Sequence, residues 1–534
     1  MSSRLLTGNE AVALAARDAM IALGTGYPGT PSTEILENFG ALGGRAQWAP
    51  NEKVALEVAL GAAYACGRVL VTMKHVGVNV AADPLFTAAY TGVTGALVIA
   101  AADDPGMHSS QNEQDTRRYA EAAGVPMLEP ADSQEAYDYM LAATELSERF
   151  GTPVLLRMTT RVCHSKTPVT PRGAPLPAPP PGYERDIPRR VMIPAYARPA
   201  HRKLREKLSR LADWSEESDL HRVIPGTGDG KALGVITSGV ATMHVAEAAP
   251  EASMFKLAMT YPLPLKRLAE FARSVERCVA VEEGDPYLAN ALRAADAPVE
   301  APIEEFRFGE LSVSRVQRLL AGETAPEPPP EPGKPPRLCP NCPHRNVFGA
   351  LSRIGCIVSG DIGCYTLGVL PPFEAMDTCA CMGASIGAGL GMRHVLPRQQ
   401  AKRVVSVIGD STFVHSGVTG LIDMAYNPPP TGHVVIILDN EVTAMTGLQE
   451  HPGTGRRLDH GPAANKINYE ALAWALGIQD VHTVDPLENE AGFEQLVRDC
   501  LENEGLSLIV ARRPCPLSVN RLARMAAECG APES

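Results

Sequence analysis

The chain has 534 residues, which is too long for one hydrophobic core and favours about three domains of ordinary size. Its 45% apolar and 21% charged residues are typical of a soluble globular protein. The net charge of -12 and the lack of a long basic run argue against a nucleic-acid partner, because phosphate binding needs a basic surface. No apolar run reaches spanning length and charged residues interrupt Met1 to Gly24, so we expect a cytoplasmic protein without a signal peptide or membrane contact.

The chain contains 12 cysteines. In a large chain without an export signal, cysteines are more often thiols or metal ligands than disulfides. Most of them, such as Cys66, Cys278 and Cys500, lie in apolar or helical contexts and are predicted to be unreactive core thiols.

Residues 1–165 alternate helical and strand patterns, which predicts a domain built on a parallel sheet. Gly8 to Leu23 has apolar residues at helical spacing. The turn Tyr27 to Ser32 then breaks the pattern with two prolines around a glycine, and Ser32 is expected to cap a helix from Thr33 to Phe39. These residue types suit an ordinary structural turn as well as a site.

A helix rich in alanine and glycine is predicted from Val54 to Cys66, with Glu52 just before it. A carboxyl group at the mouth of an apolar helix loses solvent, which raises its pKa and suits it to sharing a proton. Glu57, five residues on, is the rival candidate, and we choose Glu52.

A strand and turn are predicted for Leu70 to Asn79, and another strand for Ala96 to Ala102. The second is followed by the dense polar loop Asp103 to Asp115. Such a loop after a buried strand suits a binding site, and it equally suits a solvated turn.

Residues 166–230 are predicted to be a linker with partial order. Proline-rich residues 168–188 should be extended, and a short basic helix with a solvated charged face is expected from His201 to Leu211.

A second α/β unit follows at 231–325, with strands at 233–237 and 278–281. Its Glu282 and Glu283 suit paired acid/base catalysis or solvated strand ends, and we favour solvation. A proline-rich spacer, 326–336, closes it.

The last domain, 326–534, contains two apolar runs of buried parallel-strand character, Val404 to Ile408 and Val434 to Leu438. Asp410 follows the first run and Asn440 the second. Because parallel strands place ligands at their carboxyl edge, these two oxygen-bearing side chains are expected to meet there. Such hard oxygens suit Mg²⁺ with phosphate oxygens. The alternative is an ordinary strand, turn and helix in which Asp410 and Ser411 cap the helix.

Two glycine-bearing turns, Asp361 to Tyr365 and Cys381 to Ser385, suit backbone amides that approach a diphosphate.

Several long motifs along the chain resemble the 2-oxoacid:ferredoxin oxidoreductases, specifically the α subunits of the indolepyruvate branch. They include NEKVA, KHVGVNVA, DDPGMHSSQNEQD, GDIGCYTLG, DTCACMGASIG, GDSTFVHSG and DNEV with TGLQ, in this order. The resemblance implies an α/β multidomain thiamine-diphosphate fold: a pyrimidine-binding domain at 1–165, a transketolase C-terminal-like domain at 231–325 and a diphosphate-binding domain at 326–534.

The resemblance also implies roles for individual residues. Glu52 would activate the coenzyme by hydrogen bonding its aminopyrimidine, with Gly61 as a packing glycine, and Thr30 would lie by the substrate carboxylate. Metal ligands would be Asp410, Asn440 and the Val442 carbonyl. Lys74, His75 and His108 would line the substrate pocket. Coenzyme contacts would come from Gly363, Cys364, Tyr365, Cys381, Met382, Gly383, Gly409, Asp410, Ser411, Thr412, Asn440, Thr446 and Gly447.

The cysteines of the last domain depart from the branch pattern. The α subunit ordinarily continues into a ferredoxin-like tail with two four-cysteine runs, whereas here nineteen residues follow Cys515 and the only later cysteine is Cys529. Cys339, Cys342, Cys364 and Cys515 resemble the positions by which simpler members of the superfamily hold a [4Fe-4S] cluster beside thiamine. Zinc ligation, or no ligation at all, are the alternatives.

Three functions follow from the resemblance. The first is oxidative decarboxylation of an arylpyruvate such as indolepyruvate, with coenzyme A as acyl acceptor, ferredoxin or another carrier as electron acceptor, and a smaller β subunit as partner. The second, favoured by the missing tail, is a non-oxidative decarboxylase or carboligase, and the third is a non-catalytic scaffold. Thiamine enzymes pair pyrimidine and diphosphate sites between domains, often across chains, so two copies of the chain are expected.

Overall fold

The structure is a computed structural model that describes residues 3–172, 177–227, 231–327 and 333–528. Parts of both predicted proline-rich segments, the Gly230 boundary and Cys529 lie outside these ranges. The chain divides into two compact units, residues 1–329 and 330–534. Across the described ranges, no helix combines enough length with enough apolar character to cross a membrane.

The first unit contains a seven-stranded sheet whose strands are parallel except for one edge strand. In spatial order the strands are Met259–Tyr261, Met127–Leu128, Val154–Thr159, Leu97–Asp103, Val69–Lys74, Leu23–Gly26 and Ala46–Trp48. The central strands are buried throughout, as the apolar runs predicted. A separate antiparallel pair joins Arg4–Thr7 to Lys166–Val169.

A second sheet of four strands lies in the same unit. In spatial order these are Arg277–Val281, Leu233–Ser238, Ser253–Leu257 and Arg222–Ile224, the last of them antiparallel. The helices of the unit are Gly8–Asp18, Thr33–Ala41, Glu52–Tyr64, His75–Val80, Ala82–Thr91, Thr116–Ala123, Ser133–Phe150, Thr160–His164, Ile187–Arg190, Pro194–Glu217, Ala241–Ala248, Leu265–Arg273, Tyr287–Ala294 and Val313–Leu320, with a 3-10 turn at Glu304–Arg307.

The interval predicted to be a linker contains more regular structure than expected. Its helix runs from Pro194 to Glu217 and buries Leu204, Leu208 and Leu211 in the core around the first sheet, while its charged face is exposed as predicted. The prediction of a short helix was wrong. The helix is longer because these three leucines recur at helical spacing and pack on a surface that the local sequence does not reveal.

The second unit contains a sheet of six parallel strands. In spatial order they are Thr378–Cys379, Ile357–Gly360, Val404–Gly409, His433–Asp439, Leu506–Arg512 and Asp480–Val484. Helical segments are His344–Ile354, Cys364–Val369 (3-10), Ala384–Val395, Arg398–Ala401, Asp410–Thr412, Phe413–Gly417 (π), Val418–Tyr426, Tyr469–Ala475, Glu490–Glu502 and Pro516–Glu528. Apolar clusters pack on the sheet's central strands.

Two local predictions in the first unit were wrong. The first helix ends at Asp18, and Leu23 begins a strand instead of ending the helix. Ser32 precedes the next helix without a side-chain cap bond, because its hydroxyl donates to the Gly29 carbonyl at 3.0 Å. The first helix ends where Met20 takes φ 56°, and the Ser32 hydroxyl is used by its own turn.

Candidate active site

Asp410 and Asn440 follow neighbouring parallel strands, as predicted. In the register of the strands Val404–Gly409 and His433–Asp439, Gly409 lies opposite Leu438. Both strands therefore deliver their next residues to the same edge of the sheet, where α/β proteins bind ligands.

The Asp410 carboxylate is buried and directly contacts the loop that follows the second strand. Its Oδ1 accepts the Ser411 amide hydrogen at 2.8 Å, and its Oδ2 accepts that of Glu441 at 2.8 Å. His451 Nε2 lies 3.2 Å from the same Oδ2. His451 Nδ1 accepts the Gly453 amide at 3.1 Å, and Nε2 lies beside the carboxylate without a well-directed hydrogen bond to it. The carboxylate is therefore held in one orientation.

Asn440 is oriented by a neutral histidine. Burial lowers the pKa of His344 to about 4, so its ring is uncharged near pH 7 and Nε2, 3.4 Å from Asn440 Nδ2, can accept the amide hydrogen. Asn440 Oδ1 accepts the Val442 amide at 3.2 Å. The side-chain oxygen thus lies on the Val442 side, and its second lone pair suits a cation.

This donor set fits magnesium. A carboxylate and an amide oxygen are hard ligands of the kind that Mg²⁺ takes when phosphate oxygens complete its shell. Nearby, burial and the Asp410 charge raise the pKa of Asp439 to about 6, and Arg512 pairs with Asp439 at 2.6 Å. The edge therefore concentrates negative charge that a divalent cation would neutralise.

Asp361 organises the glycine turns beside this edge. Its buried carboxylate accepts the amides of Gly383 at 2.8 Å and Ser385 at 2.9 Å, while the Gly363 amide donates to Thr366 Oγ1 at 3.1 Å. The amides of Gly363 and Gly383 therefore have partners within the protein, and the contact of these turns with a diphosphate stays a prediction. Gly383 has φ 86°, and a Cβ there would lie 2.4 Å from Ser416 Cβ, so only glycine fits.

Tyr365 and Thr412 both donate a hydrogen bond to the Ile362 carbonyl, each at 3.0 Å, and their contact with the coenzyme stays a prediction. Tyr365 is buried, and Cβ atoms added at Gly363 and Gly409 would lie 2.4 Å and 2.6 Å from its ring. In this structure these two side chains support the turn.

The loop after the second strand is braced across the site edge. Ser411 and Thr443 share a hydrogen bond at 2.8 Å, and the Thr446 hydroxyl donates to Gln449 at 2.6 Å. Gly447 is exposed with φ 122°. Of the other predicted contacts, Cys381 is exposed and Met382 is half-buried on the rim of the glycine turn.

Sequence analysis missed His344, His451 and Asp361 as site residues. Asp361 lies in a predicted turn that gives no sign of its bonds, and the two histidines lie just outside the motifs, two residues after Cys342 and two after the TGLQ segment. A histidine on its own is a weak signal, because its role depends on what faces its ring.

The four predicted cluster cysteines come together in the second unit. Burial and the thiols of Cys515, Cys339 and Cys364 raise the pKa of Cys342 to about 11, so the four sulfurs lie within electrostatic reach of one another. The Cys515 amide donates to the Asn440 carbonyl at 3.0 Å, which places this thiol set directly beside the candidate metal edge.

The spacing of these thiols distinguishes two candidate ligands. Among the described residues, only Asp480, His482 and Cys500 form a group whose ligand atoms all lie within 4.8 Å, so no three of the four sulfurs are that close. One zinc ion with bonds of about 2.3 Å would draw its sulfurs closer together. A [4Fe-4S] cluster keeps them further apart, since each thiolate binds a different iron. The arrangement fits the cluster better.

The remaining predicted site residues belong to the first unit. Glu52 is buried at the start of the helix Glu52–Tyr64, whereas Glu57 is exposed and pairs with Lys53. The close glycine is Gly77 and not Gly61: a Cβ at Gly77 would lie 2.7 Å from Glu52 Oε1, and one at Gly61 would meet open space. The predicted packing role of Gly61 is therefore wrong within the described residues.

Lys74 and His75 hold the polar loop that follows the strand Leu97–Asp103. Lys74 Nζ donates to the Ser109 carbonyl at 2.7 Å, and His75 Nε2 lies 3.2 Å from the Asn112 carbonyl. Burial lowers the pKa of Lys74 to about 8 and that of His75 to about 4. His108, by contrast, is exposed, with its Nε2 3.5 Å from Glu310.

The same loop is anchored by a buried ionic network. Arg117 pairs with Asp115 at 2.8 Å and with Glu282 at 2.7 Å, and Arg157 pairs with Asp103 at 2.8 Å. Glu282 also accepts two amides at the start of the helix Tyr287–Ala294, and Glu283 accepts the Leu311 amide at 3.0 Å. The expectation that Glu282 and Glu283 are solvated was wrong, because arginines and helix amides from other segments compensate their burial.

The depressed pKa of His75 predicts a stability effect. The pKa of His75 in the folded chain, about 4, lies below its ordinary value of 6.5. The contribution of neutral His75 to the free energy of unfolding is therefore present above pH 6.5 and is lost as pH falls through 4. We expect His75→Gln, which keeps a donor towards Asn112, to lose less stability between these pH values than the native chain, by up to about 3 kcal/mol at pH 4. Melting curves across this range measure the difference, with the exposed His394→Gln as control; parallel curves for native chain and His75→Gln would contradict the prediction.

Two family models match the chain. One, described as "Thiamine pyrophosphate enzyme, C-terminal TPP binding domain", matches residues 361–511, and one described as "Pyruvate flavodoxin/ferredoxin oxidoreductase, thiamine diP-bdg" matches residues 14–177. With the parallel sheets, they define a thiamine-diphosphate-dependent 2-oxoacid oxidoreductase of the 2-oxoacid:ferredoxin oxidoreductase superfamily. The chain is 40% identical over 547 residues to the indolepyruvate oxidoreductase subunit IorA of Methanothermobacter thermautotrophicus, across 96% of this chain and 87% of that protein. It belongs to the IorA family.

The chain is also similar to other proteins of this superfamily. IorA of Pyrococcus abyssi is 38% identical over 561 residues, across 96% of this chain and 86% of that protein. The ketoisovalerate oxidoreductase subunit VorB of M. thermautotrophicus is 27% identical over 166 residues, 29% of this chain and 47% of that protein. A solved 2-oxoglutarate:ferredoxin oxidoreductase from Magnetococcus marinus shares the fold at TM-score 0.50 and 16% identity, covering 60% of this chain and 65% of that one. The predicted family and thiamine fold are confirmed, whereas the predicted domain boundaries and residue roles remain predictions.

Proposed function

We propose that this chain is the large subunit of a complex that oxidatively decarboxylates an arylpyruvate such as indolepyruvate. Coenzyme A would take the acyl group, a ferredoxin-type protein would take the electrons, and a smaller β subunit would be the partner. One observation carries the proposal: Asp410 and Asn440 lie at one sheet edge in a chain that is similar to IorA along 96% of its length.

The second unit would hold the charged end of the coenzyme. We assign Asp410, the Asn440 side chain and the Val442 carbonyl to Mg²⁺. The Ser411 and Glu441 amides hold Asp410 in place, and His344 holds Asn440. The coenzyme supplies the electron sink that decarboxylation of a 2-oxo acid requires, and the protein supplies binding, orientation and electrostatics.

In the first unit, Glu52 would hydrogen bond the aminopyrimidine and hold the proton that is exchanged during activation. Its burial at the start of the helix and its close contact with Gly77 support this role, because they hold the carboxyl in one place away from bulk water. Thr30 would face the substrate carboxylate. Its turn lies beside Lys74, since a Cβ at Gly29 would be 3.0 Å from Lys74 Cβ. Lys74 and His75 would complete that pocket and position the loop 103–115.

The contact between Gly77 and Glu52 gives a direct test of this role. Gly77→Ala would place a methyl group against the Glu52 carboxyl and displace it, and small misplacements of catalytic groups cost roughly a hundredfold in rate. We expect kcat to fall about tenfold to a hundredfold. Gly182→Ala, which adds a methyl into open space, is the control. An unchanged kcat in Gly77→Ala, measured with saturating coenzyme, would argue against Glu52.

We also propose that Cys339, Cys342, Cys364 and Cys515 hold one [4Fe-4S] cluster. Their mutual proximity and their wide spacing support this ligand over a single zinc ion. Anaerobically purified protein should contain about four iron and four sulfide per chain. Cys342→Ser should lower both, and Cys356→Ser, at another half-buried thiol of the same unit, should leave them unchanged. Iron-free native protein would contradict the assignment.

The overall reaction is tested on the chain co-expressed with its β subunit under anaerobic conditions. Indolepyruvate and phenylpyruvate are compared with pyruvate and 2-oxoglutarate, with coenzyme A and oxidised ferredoxin present. We expect acyl-CoA, CO₂ and reduced ferredoxin in stoichiometric amounts, with the aryl substrates preferred. Release of an aldehyde without ferredoxin reduction would instead identify a non-oxidative decarboxylase, and preference for pyruvate would refute the substrate assignment.

A further inference from the structure

Three side chains with metal-binding groups meet at the end of the second unit's sheet where its strands begin. The candidate active site lies at the other end, where the strands finish. Asp480 begins the strand Asp480–Val484, His482 lies two residues further on the same face, and Cys500 lies in the last turn of the helix Glu490–Glu502. One carboxylate oxygen, one ring nitrogen and the thiol sulfur all lie within 4.8 Å of one another.

The strand register separates this group from the active site. Along the strand Leu506–Arg512, Ser507 near its start pairs with Asp480, whereas Arg512 at its end pairs with Asp439. The Asp480 group therefore lies at the amino ends of the strands and the coenzyme edge at their carboxyl ends.

The Asp480 carboxylate has a supporting shell. Its Oδ2 accepts the Ser507 hydroxyl at 2.5 Å and the Asn503 amide at 3.0 Å, while its Oδ1 lies 2.7 Å from His482 Nε2. One oxygen is thus fixed by hydrogen bonds and the other faces the histidine. Metal-binding carboxylates are commonly held in this way by a second set of hydrogen bonds.

Cys500 differs from an ordinary core thiol, although the sequence predicts one. Its residue is buried in the apolar cluster below the sheet, but the thiol also lies next to the polar side chains of Asp480 and Ser507. Burial raises the pKa of this thiol to about 11, and a bound cation would favour the thiolate. His482 and Asp480 remain partly exposed, which leaves an entry path.

We propose that Asp480, His482 and Cys500 bind one Zn²⁺ ion. Thiolate, imidazole and carboxylate together are characteristic zinc ligands, and three protein ligands leave a fourth position for water. Tetrahedral bonds of about 2.0 to 2.2 Å would place His482 Nε2 and the Asp480 oxygen about 3.4 Å apart. Zinc therefore replaces the proton that now joins them. The ion ties the edge strand to the neighbouring helix, so its role is structural.

The test uses the metal-free full-length chain titrated with Zn²⁺ against a competing chelator. Because four free thiols near the active site can also bind Zn²⁺ in the metal-free chain, the measured quantity is the difference between variants. We expect Cys500→Ser and His482→Asn each to lose one zinc equivalent relative to the native chain, whereas Cys356→Ser loses none. Zn²⁺ should raise the apparent melting temperature of Cys356→Ser by more than that of either ligand variant.

A milder variant and an optical probe complete the test. Asn503→Ala removes a hydrogen bond to Asp480 and should lower the affinity of this site for Zn²⁺ tenfold to a hundredfold. Co²⁺ in place of zinc should show thiolate charge-transfer absorption that decreases in Cys500→Ser. His482 is partly exposed, so His482→Asn provides a folded variant even if Cys500→Ser is unstable. Equal zinc stoichiometry and affinity in the native chain and His482→Asn would overturn the site.

Discussion

Asp410→Asn should reduce the turnover of 2-oxo acid at least about a thousandfold, because the substitution removes the one charged ligand proposed for Mg²⁺. The amide can still accept the Glu441 hydrogen bond at 2.8 Å, so the loop should keep its position while the metal loses an anionic oxygen. A metal that stabilises charge contributes several kcal/mol, and 1.4 kcal/mol corresponds to a factor of ten. The effect should appear first as weaker binding of thiamine diphosphate in the presence of Mg²⁺.

Calorimetric titration of coenzyme with and without Mg²⁺ separates this effect from a folding defect. In the native chain Mg²⁺ should strengthen coenzyme binding strongly, and in Asp410→Asn the dependence on Mg²⁺ should be largely lost. Asp423→Ala is the matched control, since Asp423 is an exposed acid in the next helical segment, Val418–Tyr426. If Asp410→Asn retains the native dependence on Mg²⁺, the assignment of the metal edge is wrong.

Glu52→Gln should lower kcat about a hundredfold to a thousandfold while coenzyme affinity changes little. Glutamine has the shape of glutamate, so it fits against Gly77, where a Cβ would lie only 2.7 Å from Oε1. It can hydrogen bond the pyrimidine but cannot exchange a proton with it, and loss of a positioned acid or base commonly costs this much.

The rate of hydrogen exchange at the reactive thiazolium carbon of the bound coenzyme reports activation directly and needs no substrate. It should decrease in Glu52→Gln in parallel with kcat. Glu57→Gln, five residues away on the exposed face of the same helix, should match the native chain in both measurements. Native exchange in Glu52→Gln would exclude Glu52 as the activating acid, even if kcat were lower.

The prediction of neighbouring strands succeeded because the information for it is local. The runs Val404 to Ile408 and Val434 to Leu438 are too apolar to lie anywhere except in a buried parallel sheet, and polar residues follow each run directly. The helix at Glu52 was similarly evident from its small apolar residues, although it begins at Glu52 itself, where Asn51 caps it.

The contacts made by the glycine turns could not be predicted in the same way. Glycines in the motifs indicated that other atoms approach the backbone closely, but they did not indicate which atoms these are. Gly363 and Gly409 pack against the Tyr365 ring, and the Gly383 amide binds Asp361, so in this structure much of the motif supports itself. Sequence similarity identifies such residues together, and only coordinates separate those that face a ligand from those that hold the turn.

The family, the parallel α/β class and a candidate metal edge could all be predicted from the order of the amino acids, because periodicity and motif spacing are properties of short segments. Folding alone sets which glycine packs against Glu52, how Arg117 compensates Glu282, and that His451 lies beside Asp410. It also brings Asp480, His482 and Cys500 together. The physical reason is the same in each case. Burial and charge compensation depend on atoms that are distant along the chain, and no local pattern records which of those atoms folding brings into contact.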